Sequence, residues 1–292
     1  MLDLNQVQAF LAVVDSAGFS RAARALGSTQ PVVSQQVRKL EAAIGARLLA
    51  RSHARTVPTA DGARFLPYAR ALVRTEERAR RSVRKDRLAI AASGNIGTYL
   101  LPKVLGGTAT AAQTPDPELL VGTNQETAAR IQSGVADIAL MEWWDDRPGL
   151  DATVWRREPL VVIVGPAHGW AARRAVEKAE LFDEPLIGGE PGTGTGALLQ
   201  QVFGRAAARL KVGLTVGSTA AVKEAVKAGL GLSIVMAASV RDEVRYGTLG
   251  ALEVSDAALV KDLYAVVSSD QPETAPAMRF RSHLLELSAD EG

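Results

Sequence analysis

The sequence predicts a multidomain α+β protein with an N-terminal winged helix-turn-helix, a long linker helix and a C-terminal two-lobed α/β body. Two short helical patterns flank a glycine within residues 19–41, an amphipathic helical pattern covers residues 60–85, and strands alternate with helices from residue 87 onward. With 292 residues, the chain is long enough to form more than one hydrophobic core. We therefore divide it into a head at residues 1–60, a linker at 61–86 and a body at 87–292.

The first short helix of the head is predicted just after Phe19. Ser20 belongs to a residue type that caps helix N-termini, and the alanines that follow it favour a helix and allow close packing. Leu26 is expected to point into the core. Gly27 is expected to end the helix, because glycine accommodates the backbone of a tight turn.

The second helix of the motif is predicted at residues 30–44. Thr29 is expected to cap it, and Pro31 lies in the first turn, where a missing N–H costs nothing. Its buried face is predicted from helical spacing at Val33, Val37, Leu40 and Ile44. The opposite face is polar, and glutamine, serine and arginine can hydrogen-bond to base edges and phosphates. This pattern is typical of a helix that reads DNA.

A two-stranded wing is predicted at residues 47–60, with Arg51 and Arg55 flanking its tip. Arginines in such a position can reach phosphate or the minor groove. The residues expected to contact double-stranded DNA are Ser20, Thr29, Gln30, Pro31, Ser34, Gln35, Arg38, Arg51 and Arg55.

The linker helix is expected to start after Thr59 as its N-cap. An isolated helix of this length needs a packing partner, and the head is too small to cover it. We expect it to pair with a second copy of itself, so the protein would be a homodimer or larger. The alternative, in which the helix packs on its own body, stays open.

The charge of the chain is divided unevenly. The net charge is +2, yet residues 1–87 carry 16 Lys and Arg against 7 acidic residues, a net charge of +9, and residues 88–292 carry −7. A basic head on an acidic body favours DNA binding by the head alone.

In the body, alternating strands and helices predict parallel sheets with helices on both faces. We expect two hinged lobes, the first formed by residues 87–162 and 267–292 and the second by 163–266, with chain crossovers near 160–165 and 265–270. In such folds ligands bind at the carboxyl ends of strands, beside helix N-termini.

Loops rich in hydroxyl and glycine residues occupy these positions. Backbone N–H groups at helix N-termini favour an anion, so the loops predict a small anionic ligand held without a strong cationic partner. The residues expected to line the cleft are Ser93, Asn95, Thr98, Thr123, Thr193, Gly194, Thr195 and Ser218. For any single loop, ordinary helix capping is the alternative.

Residues 4–87 closely resemble the head of the LysR-type transcriptional regulators. The resemblance rests on Phe10, Ser20–Ala23, Leu26, Thr29–Ser34, Gln36, Val37, Leu40, Glu41, Gly45, Leu48, Leu49, Arg51, Thr59 and Gly62. The body matches the family's regulatory domain through residues 93–102, 134–140 and 229–232. The resemblance extends over nearly the whole chain, with Val32 and Leu49 standing where the family more often has alanine and phenylalanine.

The resemblance implies a body like periplasmic solute-binding proteins and a tetramer built from dimers on a partly palindromic promoter site. It also implies a small-molecule inducer in the cleft that changes DNA bending and the recruitment of RNA polymerase. Glu142 is expected at the cleft rim, where a carboxylate disfavours an anion or restricts its orientation.

Other classes of protein have little support in the sequence. The chain has no cysteine, and its three histidines lack ligand spacing, so we expect neither a metal site nor a cofactor. It contains neither a P-loop nor a nucleophile elbow, so we expect no enzymatic activity. We expect a cytoplasmic protein without membrane segments. A ligand-independent DNA-binding repressor and, more remotely, a solute-binding protein are the alternatives.

Overall fold

Three helices and a two-stranded wing form the head, and the linker helix follows. The structure, a computed structural model, describes residues 2–52, 55–83, 88–107, 117–189 and 193–290. The elements of this part are α1 (Leu4–Ser16), α2 (Phe19–Ala25), α3 (Gln30–Ile44), β1 (Leu49–Ser52), β2 (Arg55–Pro58) and α4 (Ala60–Val83). The predicted helix-turn-helix and wing are therefore confirmed.

Helix α2 differs from the prediction at both of its ends. It begins at Phe19 with Gly18 as N-cap, so Ser20 lies within the first turn and does not cap the helix. Leu26, expected in the core, is 43% exposed. The reason is that α2 ends at Ala25 and the chain turns away through Gly27, which has a φ of 59°.

Helix α3 has the predicted bounds; Val33, Val37 and Leu40 of the predicted inner face are buried, and Ile44 is half-buried. Thr29 is its N-cap and Pro31 lies in its first turn, although the Thr29 hydroxyl does not bond to the backbone of the helix. Near the other end, Oε1 of Glu41 accepts hydrogen bonds from the backbone N–H groups of Leu48 and Leu49, at 2.8 and 3.1 Å. This carboxylate fixes the wing to α3.

The start of α4 is packed tightly against the wing. Thr59 caps the helix as predicted, because its Oγ1 accepts from the N–H of Gly62 at 3.0 Å and donates to the carbonyl of Arg47 at 2.6 Å. Gly62 lies so close to the backbone of Leu48 that a Cβ there would collide with the Leu48 carbonyl oxygen.

The body consists of two lobes, each with a sheet covered by helices. The elements of the first lobe are β3 (Leu88–Ser93), a π-helical turn (Ile96–Leu100), α5 (Leu101–Gly106), β4 (Pro117–Gly122), α6 (Asn124–Ser133), β5 (Ile138–Met141) and the start of β6 (Leu150–Val164). Those of the second lobe are β7 (Ala175–Val176), β8 (Pro185–Ile187), α7 (Gly194–Phe203), β9 (Lys211–Leu214), α8 (Thr219–Lys227), β10 (Ser233–Met236), α9 (Arg241–Arg245) and β11 (Gly250–Val254). The chain returns to the first lobe in β12 (Val260–Ser268) and α10 (Pro276–Asp290).

The sheets are mixed rather than purely parallel. In the first lobe β3 pairs parallel with β4 and β5, as predicted, but β12 runs antiparallel to both β5 and β6. In the second lobe β10 and β11 are antiparallel to the end of β6. The expectation of parallel sheets was wrong for these strands, because β6 and β12 carry the chain between the lobes and not around a crossover helix.

The strand pairing also fixes where the lobes divide. Strand β6 pairs with β12 up to Pro159 and with β10 from Leu160 onward. All of β12, from Val260, pairs with strands of the first lobe. The return crossover therefore lies near residue 260 and not at 265–270 as expected.

The alternating pattern of the body predicts helices at 96–111, 176–182, 195–209 and 237–245, and the structure differs from the prediction in all four. Residues 176–182 contain the end of β7 and a 3-10 turn at Glu180–Phe182. Ile96–Leu100 is a π-helical turn followed by α5, which ends at Gly106; residues 108–111 lie outside the described residues. Helix α7 ends at Phe203 and a 3-10 helix follows at Gly204–Arg209, and a 3-10 turn at Ala237–Ser239 precedes α9. Among the described residues, no helix is long and apolar enough to span a membrane.

The close approach of Gly62 to the wing gives a testable stability effect. We expect Gly62→Ala to destabilise the head by about 1–3 kcal/mol, because the new methyl group must displace the Leu48 backbone. Gly106→Ala is the matched control, since its Cβ meets nothing within 4 Å and alanine is the better helix former. Urea denaturation followed by circular dichroism measures both; equal midpoints for the two variants would contradict the packing described here.

Candidate functional site

The polar face predicted on α3 lies on the surface of the head. Gln30, Pro31, Gln35 and Arg38 are exposed, and Ser34 is half-buried between them. The Nε of Arg38 lies 3.4 Å from the Ser34 carbonyl oxygen, one turn earlier. The helix therefore presents hydrogen-bonding side chains along one open side, with Val33, Val37 and Leu40 buried on the other.

The wing arginines stand where the sequence predicts them. In the antiparallel register of β1 and β2, Arg51 is opposite Thr56 and Arg55 is opposite Ser52. Both therefore flank the tip of the wing, whose residues 53–54 lie outside the described residues.

In the body, polar side chains converge on Glu142, directly after β5. The Glu142 carboxylate accepts hydrogen bonds from Ser93 Oγ at 3.0 Å and Asn95 Nδ2 at 3.3 Å. The Lys261 Nζ lies 3.0 Å from the same carboxylate. Strands β3, β5 and β12 are neighbours in the sheet, and their ends bring these residues together.

The second lobe reaches the same cluster. Lys261 Nζ lies 3.5 Å from Thr195 Oγ1, and Thr219 Oγ1 donates to Asn95 Oδ1 at 2.6 Å. Gly194, at the start of α7, lies so close that a Cβ there would be 3.4 Å from Lys261 Nζ. The cluster therefore lies between the lobes, at the N-terminus of α7.

Glu142 and Lys261 form a buried ion pair. Only 13% of the Glu142 side chain and 5% of the Lys261 side chain are exposed. Burial by itself would raise the pKa of the Glu142 carboxyl. The positive charge of Lys261, together with the hydrogen bonds that Lys261, Asn95 and Ser93 donate to the carboxylate, outweighs burial and lowers that pKa. The cleft thus contains a fixed negative charge and a fixed positive charge in contact.

Lys261 corrects two expectations. The cleft does have a strong cationic group, and Glu142 is a buried member of the cluster and not a residue at its rim. Lys261 lies 119 residues from Glu142 in the chain, so no local motif joins them. The sequence feature that could have indicated this cation is a lysine at position 261, within the apolar strand pattern that begins at Leu259.

Several of the predicted cleft residues act as helix caps. The Thr123 side chain accepts from the N–H of Glu126 in a reciprocal capping box. Thr193 and Ser218 likewise cap α7 and α8 by accepting from the N–H groups of Gly196 and Ala221. The capping alternative is correct for these contacts.

Asn124, which follows Thr123, reaches the cluster instead. Its Oδ1 accepts from the backbone N–H of Glu142 at 2.8 Å, and its Nδ2 donates to the carbonyl of Trp143 at 3.0 Å. The side chain of Asn124 therefore fixes the backbone of both Glu142 and Trp143.

Thr98 lies in a different place, in a groove of about 250 Å³ between the lobes. On the floor of this groove, Lys223 packs with its Nζ 5.0 Å from the centre of the Tyr99 ring and 2.6 Å from Glu243 Oε1. Burial would lower the pKa of Lys223, but Glu243 and Tyr99 raise it. The structure therefore does not bring Thr98 together with Glu142. Within the described ranges, no group of three or more His, Asp or Glu residues could hold a metal.

Comparisons with protein families define the class of the chain. Residues 4–63 match the bacterial regulatory helix-turn-helix domain of the lysR family, and residues 81–289 match the LysR substrate binding domain. The chain belongs to the LysR family of transcriptional regulators, with a DNA-binding head and an effector-binding body.

Individual relatives extend this result. The chain is 40% identical over 196 residues to the transcriptional regulator protein PtxE of Stutzerimonas stutzeri, an alignment that covers 67% of this chain and all of PtxE. It is 28% identical to the RuBisCO operon transcriptional regulator of Acidithiobacillus ferrooxidans, across 98% of this chain and 94% of that protein. The crystal structure of full-length CbnR with its target DNA has the same fold, with a TM-score of 0.59, 21% identity, and coverage of 99% of this chain and 100% of CbnR.

The buried ion pair predicts a pH effect. Because the pKa of Glu142 is lowered in the folded protein, its contribution to stability is present above pH 4.5, the ordinary value for the group, and is lost as pH falls through the folded pKa. Glu142→Gln should therefore destabilise the body by about 3–5 kcal/mol at pH 7. The difference from the unsubstituted protein should shrink as pH falls from 4.5 toward the lowered folded pKa, and it should be lost once Glu142 is neutral in the folded protein as well.

Urea midpoints measured between pH 7 and pH 3 test this expectation. Glu224→Gln is the matched control, because Glu224 is 72% exposed in its pair with Lys227. A difference between Glu142→Gln and the unsubstituted protein that stays constant over this range would refute a charged Glu142.

Proposed function

We propose that this regulator binds promoter DNA as a homo-oligomer and that a small anionic effector, bound between the lobes, controls this binding. The observation that carries the proposal is the buried Glu142–Lys261 pair, which polar groups of both lobes surround. A buried ion pair gains little net stability over apolar packing, so its presence in a cleft favours a binding role.

For the DNA interface, the proposal assigns base recognition to the exposed face of α3. Gln30 and Gln35 have amides that can pair bidentately with adenine, and Ser34 can donate to or accept from several base edges. Pro31 can touch a thymine methyl group. Arg38, together with the wing arginines, suits phosphate, and Ser20 and Thr29 lie exposed at the starts of α2 and α3.

For the effector, the proposal centres on the first turn of α7. An anion placed beside Gly194 and Thr195 would meet the positive end of the α7 dipole, the Thr195 hydroxyl and the ammonium of Lys261. Ser93 and Asn95 would complete the site from the first lobe by holding Glu142. An anion that draws Lys261 away from Glu142 would change how the lobes contact one another.

Oligomerisation is proposed from the open side of the linker helix. Tyr68 is 69% exposed and Leu72, one turn later, is 38% exposed. These side chains would be covered by α4 of a second copy, and pairs of such dimers would present four heads to DNA. The spacing of the heads would then govern DNA bending and the access of RNA polymerase.

One observation favours the alternative of a ligand-independent repressor. Ser93, Asn95 and Lys261 already donate to Glu142, so an anion must compete with a carboxylate of the protein itself. The effector experiment below distinguishes the two functions.

Base recognition by α3 is tested with DNA that the full-length protein selects from a random library. Gln35→Ala should reduce discrimination at one base pair by about 1–3 kcal/mol, because the amide no longer pairs with its base. Fluorescence anisotropy on the selected site and on single-base variants measures this. Lys39→Ala is the control: Lys39 is exposed on α3 directly after Arg38, and the loss of a phosphate contact should weaken binding equally on all of them. Unchanged discrimination by Gln35→Ala would remove Gln35 from the base-reading set.

Effector binding is tested by thermal shift with sulfate, phosphate, bicarbonate and short mono- and dicarboxylates. At least one of these anions should raise the melting temperature by about 2–4 °C, and Lys261→Met and Thr195→Val should each abolish the shift. Thr98→Val should keep it, because Thr98 lies in the separate groove.

Two outcomes would overturn the effector assignment. A shift that is lost in Thr98→Val but kept in Lys261→Met would place the effector in the groove that Thr98 lines. The absence of a shift with every anion would support the ligand-independent repressor.

A further inference from the structure

Helix α6 is joined at its first residue to the cluster around Glu142. Asn124 begins α6, and its side chain holds the backbone N–H of Glu142 and the carbonyl of Trp143. Any displacement of Glu142 therefore acts directly on the start of this helix.

The opposite end of α6 is joined to the linker helix. Arg74 of α4 is only 6% exposed, and its Nη1 donates to the carbonyl of Gln132, next to the last residue of α6, at 3.1 Å. A guanidinium at this position complements the negative end of the helix dipole. A Cβ on Gly134 would lie 3.0 Å from the Arg74 Cα, so α4 and the end of α6 are in close backbone contact.

A second connection runs beside α6, through residues 142–149. Arg147 in this segment donates from Nη1 to Gln132 Oε1 at 3.0 Å. At the end of the segment, a Cβ on Gly149 would lie 3.2 Å from Nη2 of Arg74. One end of the helix is bonded to Glu142 and one end of the segment is Glu142 itself, and the other ends of both lie against Arg74.

We infer that α6 and Arg74 form the mechanical coupling between the cleft and the linker helix. A helix of ten residues spans about 15 Å and is stiff, so its two ends move together. The close packing around Arg74 leaves no room for sliding, so a shift of α6 must either turn α4 or break the Arg74–Gln132 bond.

The inference rests on the proposed function and adds a route for its regulation. Arg74 acts here as a positioning residue, since it sets the direction in which α4 leaves the body. A second hydrogen bond between α4 and the first lobe, from Thr75 Oγ1 to Asp270 Oδ2, is long at 3.5 Å. The shorter, buried bond of Arg74 is therefore a contact through which the orientation of the heads can respond to the cleft.

A double-mutant cycle on the full-length protein tests this route without an identified effector. Lys261→Met perturbs the cleft, and the Kd for the selected DNA is measured with and without Arg74→Met. We expect Lys261→Met alone to change the Kd by about fivefold or more, the lower end of coupling between distant sites. In the Arg74→Met background the same substitution should change it by less than about twofold.

Arg70→Met is the matched control, because Arg70 lies one turn earlier on α4 and pairs with Asp15 of the head. In this background Lys261→Met should act as it does in the unsubstituted protein. If Lys261→Met does not fold, Glu142→Gln replaces it as the perturbation of the cleft.

The outcomes separate the coupling from the proposed function. An equal change of Kd in the Arg74→Met and unsubstituted backgrounds would overturn the route through Arg74 and leave cleft control of DNA binding intact. No change in the unsubstituted background would overturn cleft control itself, and the coupling with it.

Discussion

The ion pair between Glu142 and Lys261 is the interaction on which the rest of the body depends. Both groups are buried, and each would be costly to leave without the other. Ser93 and Asn95 complete the hydrogen bonds of the carboxylate, so the cost of removing its charge from water is offset within the first lobe. The second lobe then meets Lys261 through Thr195. The ion pair thus lies at one of the places where the two lobes meet.

The long strands β6 and β12 determine the position of Lys261, one member of this ion pair. Strand β6 runs from the first lobe into the second, and β12 pairs with its first-lobe part; Lys261 lies at the start of β12, where the chain has just returned to the first lobe. A residue at this position is close to groups of both lobes. Glu158, opposite Lys261 in the register, is also buried; it accepts from Arg156 and from the N–H of Ala238 in the second lobe. The strands that join the two lobes therefore hold buried charged groups, Lys261 and Glu158, that each have a partner of opposite charge.

The link from body to head follows from the same arrangement. Asn124 fastens α6 to the backbone at Glu142, and Arg74 fastens the other end of α6 to α4. Between the head and the first lobe, α4 is held by Asp15 through Arg70 and by Gln132 through Arg74. The Arg70–Asp15 pair is exposed and contributes little to stability, whereas Arg74 is buried, so the direction of the linker relative to the first lobe depends on Arg74.

The sequence by itself determined the features that depend on neighbouring residues. The bounds of α3, the cap at Thr59 and the paired strands of the wing follow from residue types and spacing within a few positions, because helix periodicity, capping and turns are local effects. Leu26 shows the limit of that reasoning: its side chain is apolar, but the end of α2 decides its direction. Lys261 shows the larger limit. Only the tertiary structure brings it to Glu142, because pairing of strands distant in sequence is a property of the whole sheet, and no local pattern records it.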